Sequence, residues 1–197
     1  MWFSWLLYGV GSLLPSYIFH EFAVKVEDLA EFTVLPYLLQ GAVGLSAGAI
    51  ADAWIAGGMS VRKCRQVMQA AGMIIPAFAL GATATQAHSA EDAVALLTIG
   101  MGASALTLAG VSVNHLDIAP RKAGVVFGIG NTAGTVGGFI SVGFCGWLEQ
   151  ITGSWPAVLG VIGAHGLVGA AFWWEWLGSD DIFESLQRED VDTGETV

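Results

Sequence analysis

The chain has 197 residues, of which 54% are hydrophobic and 12% charged, with 27 glycines and a net charge of −10; its mean hydropathy is +0.64. Soluble domains carry roughly 25% charged residues, so a soluble globule is excluded and a polytopic helical membrane protein is expected, with the lipid bilayer as its surroundings and no nucleic-acid partner. Residues 178–197 hold seven acids and one arginine, so more than half of the net negative charge sits in one tail.

A bilayer core needs roughly 20 apolar residues per helix, and on that measure six spans are predicted, at about 1–19, 32–56, 67–87, 93–114, 123–147 and 156–177. Together they make an all-α, six-helix transmembrane bundle over 1–177, followed by an acidic tail, 178–197, whose composition predicts disorder. After the first span, His20 to Glu31 carries Glu21, Lys25, Glu27 and Asp28 and must leave the hydrocarbon. The second span runs into Gly57-Gly58 and the cations Arg62, Lys63 and Arg65. The third contains Gln69, Pro76 and Gln86, and is kept because without it the loop charges fall on inconsistent sides. The fourth leads into His115-Leu-Asp117-Ile-Ala-Pro120-Arg121-Lys122, where proline disfavours helix for the residue before it. The fifth is dense in glycine, including Gly124, Gly128, Gly130, Gly134, Gly137 and Gly138, which suits tight packing in a bundle. Pro156 fits the first turn of the sixth, and Trp173, Trp174 and Trp176 at its end suit a headgroup belt.

Lys and Arg fall unequally on the two sides. Arg62, Lys63, Arg65, Arg121, Lys122 and Arg188 share one, and Lys25 stands on the other. The positive-inside rule then places both termini in the cytosol, or in the stroma of a plastid. The first span begins at Met1 without a polar flank, and the start lacks the charged n-region and cleavage site of a signal peptide, so the chain reads as cut from a longer one.

Charges in mid-span are costly and mark function, and none clearly lies there. Asn131-Thr132, between Gly130 and Gly134, fits either an interhelical hydrogen bond or the lining of a wet cavity. His165 reads as a packed histidine. Asp52, near the end of the second span, can pair with Arg62, Arg121 or Lys122, each contact worth up to about 1 kcal/mol when partly exposed. Contacts of that size suit a gate, and equally a static surface pair. Cys64 and Cys145 have no disulfide or zinc spacing. HExxH, GxSxG and P-loop patterns are missing, so no enzyme, cofactor or metal is expected.

Asn114-His-Leu-Asp-Ile-Ala-Pro-Arg121, followed by Ala123-Gly124 and Gly128-Ile-Gly-Asn131-Thr-Ala-Gly134, resembles a signature of the anion:cation symporters of the major facilitator superfamily. That family includes sialin, the vesicular glutamate transporters and plant plastid-type phosphate transporters. Gly48-Ala-Ile-Ala-Asp52, Gly58-Met-Ser-Val-Arg62 and Arg65-Gln-Val-Met-Gln69 are similar to its loop between helices eight and nine. Pro15-Ser-Tyr17, Leu35-Pro36-Tyr37 and Gly153-Ser-Trp155 match its seventh and eighth helices and the loop before the twelfth. One departure is that Phe3 and Ser4 stand where members commonly place a polar or charged residue, just before the tryptophan matching Trp5.

The resemblance implies the C-terminal half of a twelve-helix transporter, with a six-helix N-terminal half as its missing partner. Such proteins carry inorganic phosphate or organic anions by alternating access, coupled to sodium, protons or membrane potential. The fourth and fifth spans would line the path. Asn131 and Thr132 are therefore expected as lining residues, Asp52, Arg62 and Arg121 as a cytosolic gate, and His165 as peripheral. The alternative is a transport-inactive half that serves as a structural or assembly partner. Plastid, plasma-membrane and endolysosomal residence would all look alike in this sequence.

Overall fold

The computed structural model describes residues 2–25 and 27–181. Residues 182–197, which make up most of the expected acidic tail, lie outside the described residues. Among those described the fold is all helical. Helices α1 (Trp2–Phe22), α2 (Leu29–Ala56) and α3 (Val61–Gln86) are followed by α4 (Ala90–Ser104), a 3-10 segment (Ala105–Ala109) and α5 (Val111–Ile118). A 3-10 turn (Pro120–Lys122) then leads into α6 (Ala123–Thr152) and α7 (Trp155–Trp176). Five stretches, Phe32–Ala56, Val61–Gln86, Ala90–Ile118, Pro120–Thr152 and Trp155–Trp176, are long and apolar enough to cross a membrane. With α1, a further 21-residue helix, they form an integral, multi-pass membrane bundle.

Local chemistry fixes the helix ends. The Ser60, Ser89 and Ser154 side chains each accept a hydrogen bond from a first-turn backbone N–H, of Lys63, Asp92 and Ala157 respectively, satisfying donors that a helix start leaves unpaired. Glu91 and Asp92 lie in the first turn of α4, where the helix dipole favours negative charge. Helix α6 ends at Gly153, whose φ of +59° is a left-handed conformation glycine adopts without cost.

The bundle alternates up and down, so the starts of α3 and α6 and the ends of α2, α5 and α7 share one end, here the cationic end. The larger core lies toward the opposite end, where Leu14, Tyr17 and Ile18 of α1, Leu97 of α4, and Trp155, Val158 and Ile162 of α7 are buried together. A smaller core at the cationic end joins Ala47 and Ala51 of α2 to Cys64 and Met68 of α3 and to Ala109. Both cysteines are free and buried. Helix α3 packs on α4 and α7, α2 on α4, and α1 on α6 and α7. His165, expected to be a packed residue, stacks on Trp5 across the α1–α7 contact, with ring centroids 4.3 Å apart.

Two departures from expectation matter for function. The fourth span is not one continuous helix: it tightens into 3-10 geometry at Ala105–Ala109 and restarts after Gly110. The glycines of α6 also do less packing than their density implies. Gly138 lies so close to the Tyr8 ring that a Cβ would collide with it, whereas at Gly124, Gly128, Gly130, Gly143 and Gly146 a Cβ would meet nothing within 4 Å. Only 17% of the most apolar stretch of α2, and likewise of α6, is buried, against 61% for α4 through α5. Smooth, open faces on these two helices are the result.

Candidate functional site

The break in the fourth span begins with its own side chains. Ser104 Oγ donates to Met101 O at 2.6 Å and Thr107 Oγ1 to Ser104 O at 2.7 Å. Hydroxyls bonded to a carbonyl three residues back compete with the α-helical ladder and tighten it. Such a break frees backbone groups, and buried ones need partners. Helix α3 supplies them. The Gln69 side chain, fully buried, accepts from Val111 N–H at 3.0 Å through Oε1 and donates to Met73 Sδ through Nε2. One turn away, Arg65 Nη1 donates to Ala109 O at 3.1 Å. From the other flank Gln40 Nε2 donates to Ser104 Oγ at 3.1 Å. Close approach of α3 requires glycine: a Cβ on Gly72 would sit 2.6 Å from Thr107 Cγ2 and 2.9 Å from its backbone nitrogen.

Arg65 also grips the far end of α5. Its Nε lies 2.8 Å from Asp117 Oδ2, and Nη2 donates to Oδ1 at 3.3 Å. The two side chains are 12% and 16% exposed, so this fork-to-fork pair is shielded from water on most sides. Such geometry is the strong form of a charge-assisted hydrogen bond. One guanidinium therefore holds both the break and the tip of the short helix beyond it.

The end of α7 is tied to the same cluster. Gln66 Nε2 donates to Trp174 O at 2.6 Å, Asn114 Nδ2 to Gly178 O at 2.7 Å, and Arg62 Nη2 reaches Glu175 O at 3.5 Å. Lys63 Nζ lies 4.1 Å from the centre of the Trp174 ring. Cations at a helix C-terminus complement its dipole, and the carbonyls there would otherwise lack partners.

Beside this cluster, α1, α5, α6 and the last turn of α7 enclose a cavity of about 640 Å³. Tyr8, Ser112, His115 and Asn131 contribute polar groups to it, and Phe127, Trp173 and Trp176 contribute aromatic walls. His115 lies against Phe127 with centroids 5.0 Å apart.

The expected site residues fall as follows. Asn131 lines the cavity. Thr132 is exposed on α6 beside it, its hydroxyl donating to Gly128 O at 2.8 Å. Asp52 at the end of α2 and Arg121 in the 3-10 turn are exposed and make neither an ion pair nor a hydrogen bond among the described residues. Arg62 is exposed and reaches toward α7. The structure thus does not bring Asp52, Arg62 and Arg121 together. An ion pair forms between Arg65 and Asp117 instead, because the α3 helix turns Arg65 inward toward α5 and leaves Arg62 on the surface. Both members lie inside the runs that carry the family resemblance, so position along the motif was a usable signal. Gln69 had a signal too, as a polar residue inside an apolar span, where side chains of its kind need partners.

No family model matches the chain. Over 190 residues, 96% of the chain, it is 32% identical to "Probable anion transporter 3, chloroplastic" of Oryza sativa subsp. japonica, covering 35% of that protein. It is 31% identical over 172 residues to "Ascorbate transporter, chloroplastic" of Arabidopsis thaliana, covering 86% of the chain and 31% of the relative. With "Sodium-dependent phosphate transport protein 1, chloroplastic" of the same plant it is 30% identical over 170 residues, 86% of the chain and 33% of the relative. The chain spans about a third of the length of the curated relatives it matches. These relatives are transporters rather than enzymes. Its homologues, matched over about a third of their length, are plant anion and sodium-dependent phosphate transporters of the major facilitator anion:cation symporter type.

Proposed function

We propose that the chain is the C-terminal six-helix half of a secondary transporter that carries inorganic phosphate or organic anions by alternating access. Sodium, protons or membrane potential would drive it, and no cofactor would be required. The observation that carries this reading is the broken fourth span, held at its cationic end by one shielded ion pair, within a chain similar to named anion transporters over 96% of its length. A continuous helix is stiff. A helix interrupted at Ala105–Ala109 can swing its last two turns when Arg65 releases Asp117, and those turns form a wall of the cavity. Moving packed elements between two discrete arrangements is how such changes are made.

The uncovered apolar faces of α2 and α6 supply the surface on which a second six-helix half would dock. By the positive-inside rule the cationic end faces the cytosol or stroma. There the exposed Asp52 and Arg121, together with Arg62, which reaches the Glu175 carbonyl in this half, would pair across to the other half when that end closes. Asn131 and Thr132 lie on the helix that would line the path.

The test is uptake of labelled inorganic phosphate and of organic anions into proteoliposomes holding the product of the natural gene. Saturable uptake, cut by an excess of unlabelled anion, is expected. Correctly folded protein that takes up no anion under sodium, proton or voltage gradients would leave the alternative, a structural or assembly partner without transport, as the better reading.

A further inference from the structure

Helix α6 forms one wall of the cavity through Phe127 and Asn131, and it is held in this half mainly by α1, with lesser contact to α5 and α7. The grip is on the first half of α1. Ser141 Oγ donates to Trp5 O at 3.1 Å, the Tyr8 ring fills the space over Gly138, and Trp5 lies against Phe144 with ring centroids 5.7 Å apart. Further along α1, Leu14, Tyr17 and Ile18 are buried in the larger core with α4 and α7. A change of direction between these two stretches of α1 therefore carries α6, and the cavity wall, with it.

The sequence puts a joint between them. Pro15 lies inside α1 and has no N–H, so the carbonyl four residues back, that of Gly11, loses its helical partner. Within a membrane a carbonyl freed by proline is satisfied from a neighbouring element. Tyr37 of α2 does this: its hydroxyl donates to Gly11 O at 2.8 Å. Tyr37 stands on the open face of α2, 46% exposed, so this bond can be broken and remade without unpacking a core. A helix that lacks one of its own bonds at a proline bends there more readily than elsewhere.

We infer that α1 is jointed at residues 11–15 and that the Tyr37 hydroxyl is a releasable clasp on this joint, setting the position of α6 and so the width of the cavity. Tyr37 is a positioning residue, acting through α1 and not on a bound anion. That a moving α6 serves transport rests on the reading above; the joint itself is measured without transport, so the two can fail separately.

The test is hydrogen exchange on the product of the natural gene in detergent. Tyr37→Phe is expected to speed exchange at Leu13, Leu14 and Ser16 roughly three- to tenfold, the loss of one hydrogen bond, with Val158 and Ile162 of α7 unchanged. Pro15→Ala returns an N–H to Gly11 O, so adding it to Tyr37→Phe is expected to bring exchange back to the wild-type rate or below it. Spin labels on cysteines placed at Trp54 and Val125, in protein whose Cys64 and Cys145 have been replaced, are expected to show a wider spread of distances in Tyr37→Phe than in wild type. This second measurement decides the matter if the proline variant does not fold. Unchanged exchange at the joint, acceleration that Pro15→Ala leaves in place, or a label distance that Tyr37→Phe does not alter would each overturn the inference.

Discussion

Replacing Arg65 with alanine is expected to destabilise the bundle by about 2 to 3 kcal/mol. Three hydrogen bonds are lost at once, two to Asp117 and one to Ala109 O, and the Asp117 carboxylate, 16% exposed, is left without its counter-ion. Removing one partner of a fully buried pair costs roughly 3 to 5 kcal/mol, while exposed pairs are worth at most about 1 kcal/mol; this pair lies nearer the first case. Arg65→Lys is expected to fall between wild type and alanine. An ammonium keeps the charge but cannot present the planar fork that holds the carboxylate and the Ala109 carbonyl together. Unfolding in detergent, run as a double-mutant cycle with Asp117→Asn, measures the coupling directly. A cycle in which the two substitutions are simply additive would show that the pair is a surface ornament and not a latch.

The second large effect is expected at Gln69. Changing it to leucine keeps the bulk and removes the acceptor from Val111 N–H, leaving a backbone donor unsatisfied beside the break. An orphaned buried donor costs about 1 to 3 kcal/mol, and here the cost falls on one segment. Amide exchange at Val111 and through the 3-10 segment Ala105–Ala109 is expected to speed up at least tenfold, with little change in the α1–α7 core. Local opening of that kind is what exchange resolves. Equal acceleration everywhere, or none, would mean that Gln69 does not hold the break.

How far these features could be read from sequence varies with their physical origin. Helical class and membrane residence follow from long apolar runs, whose burial needs no knowledge of partners, and they were fully legible. The family was legible because Asn114 to Arg121 is a specific run. The break at Ala105–Ala109 was not, because it contains no proline and the side chains that satisfy its freed groups come from other helices. Where Ser104 and Thr107 turn their hydroxyls back on the helix, Gln69 and Arg65 take up the backbone groups this frees and Gln40 donates to Ser104 Oγ, and those side chains lie 35 to 67 residues away by numbering. Choosing the ion pair from sequence failed for a related reason. Arg62 and Arg65 are one helical turn apart and chemically alike, and only the placement of α3 against α5 decides which is turned inward. Asn131 was singled out because an amide within an apolar span has few places to go, and it lies in the cavity wall. Thr132, one position on, faces another side of α6, a distinction a helix of unknown rotation does not reveal.

The measurement that tests the central claim most directly is the accessibility of the cavity from each side of the membrane. A single cysteine at Ser112, in protein whose buried Cys64 and Cys145 have been replaced, reports it through its rate of reaction with a membrane-impermeant thiol reagent. The expected result is labelling from both sides, slowed by saturating substrate anion, with the cationic-side rate raised by Arg65→Ala. Labelling from one side alone, indifferent to anions and to the loss of Arg65, would contradict a latched, alternately opened path.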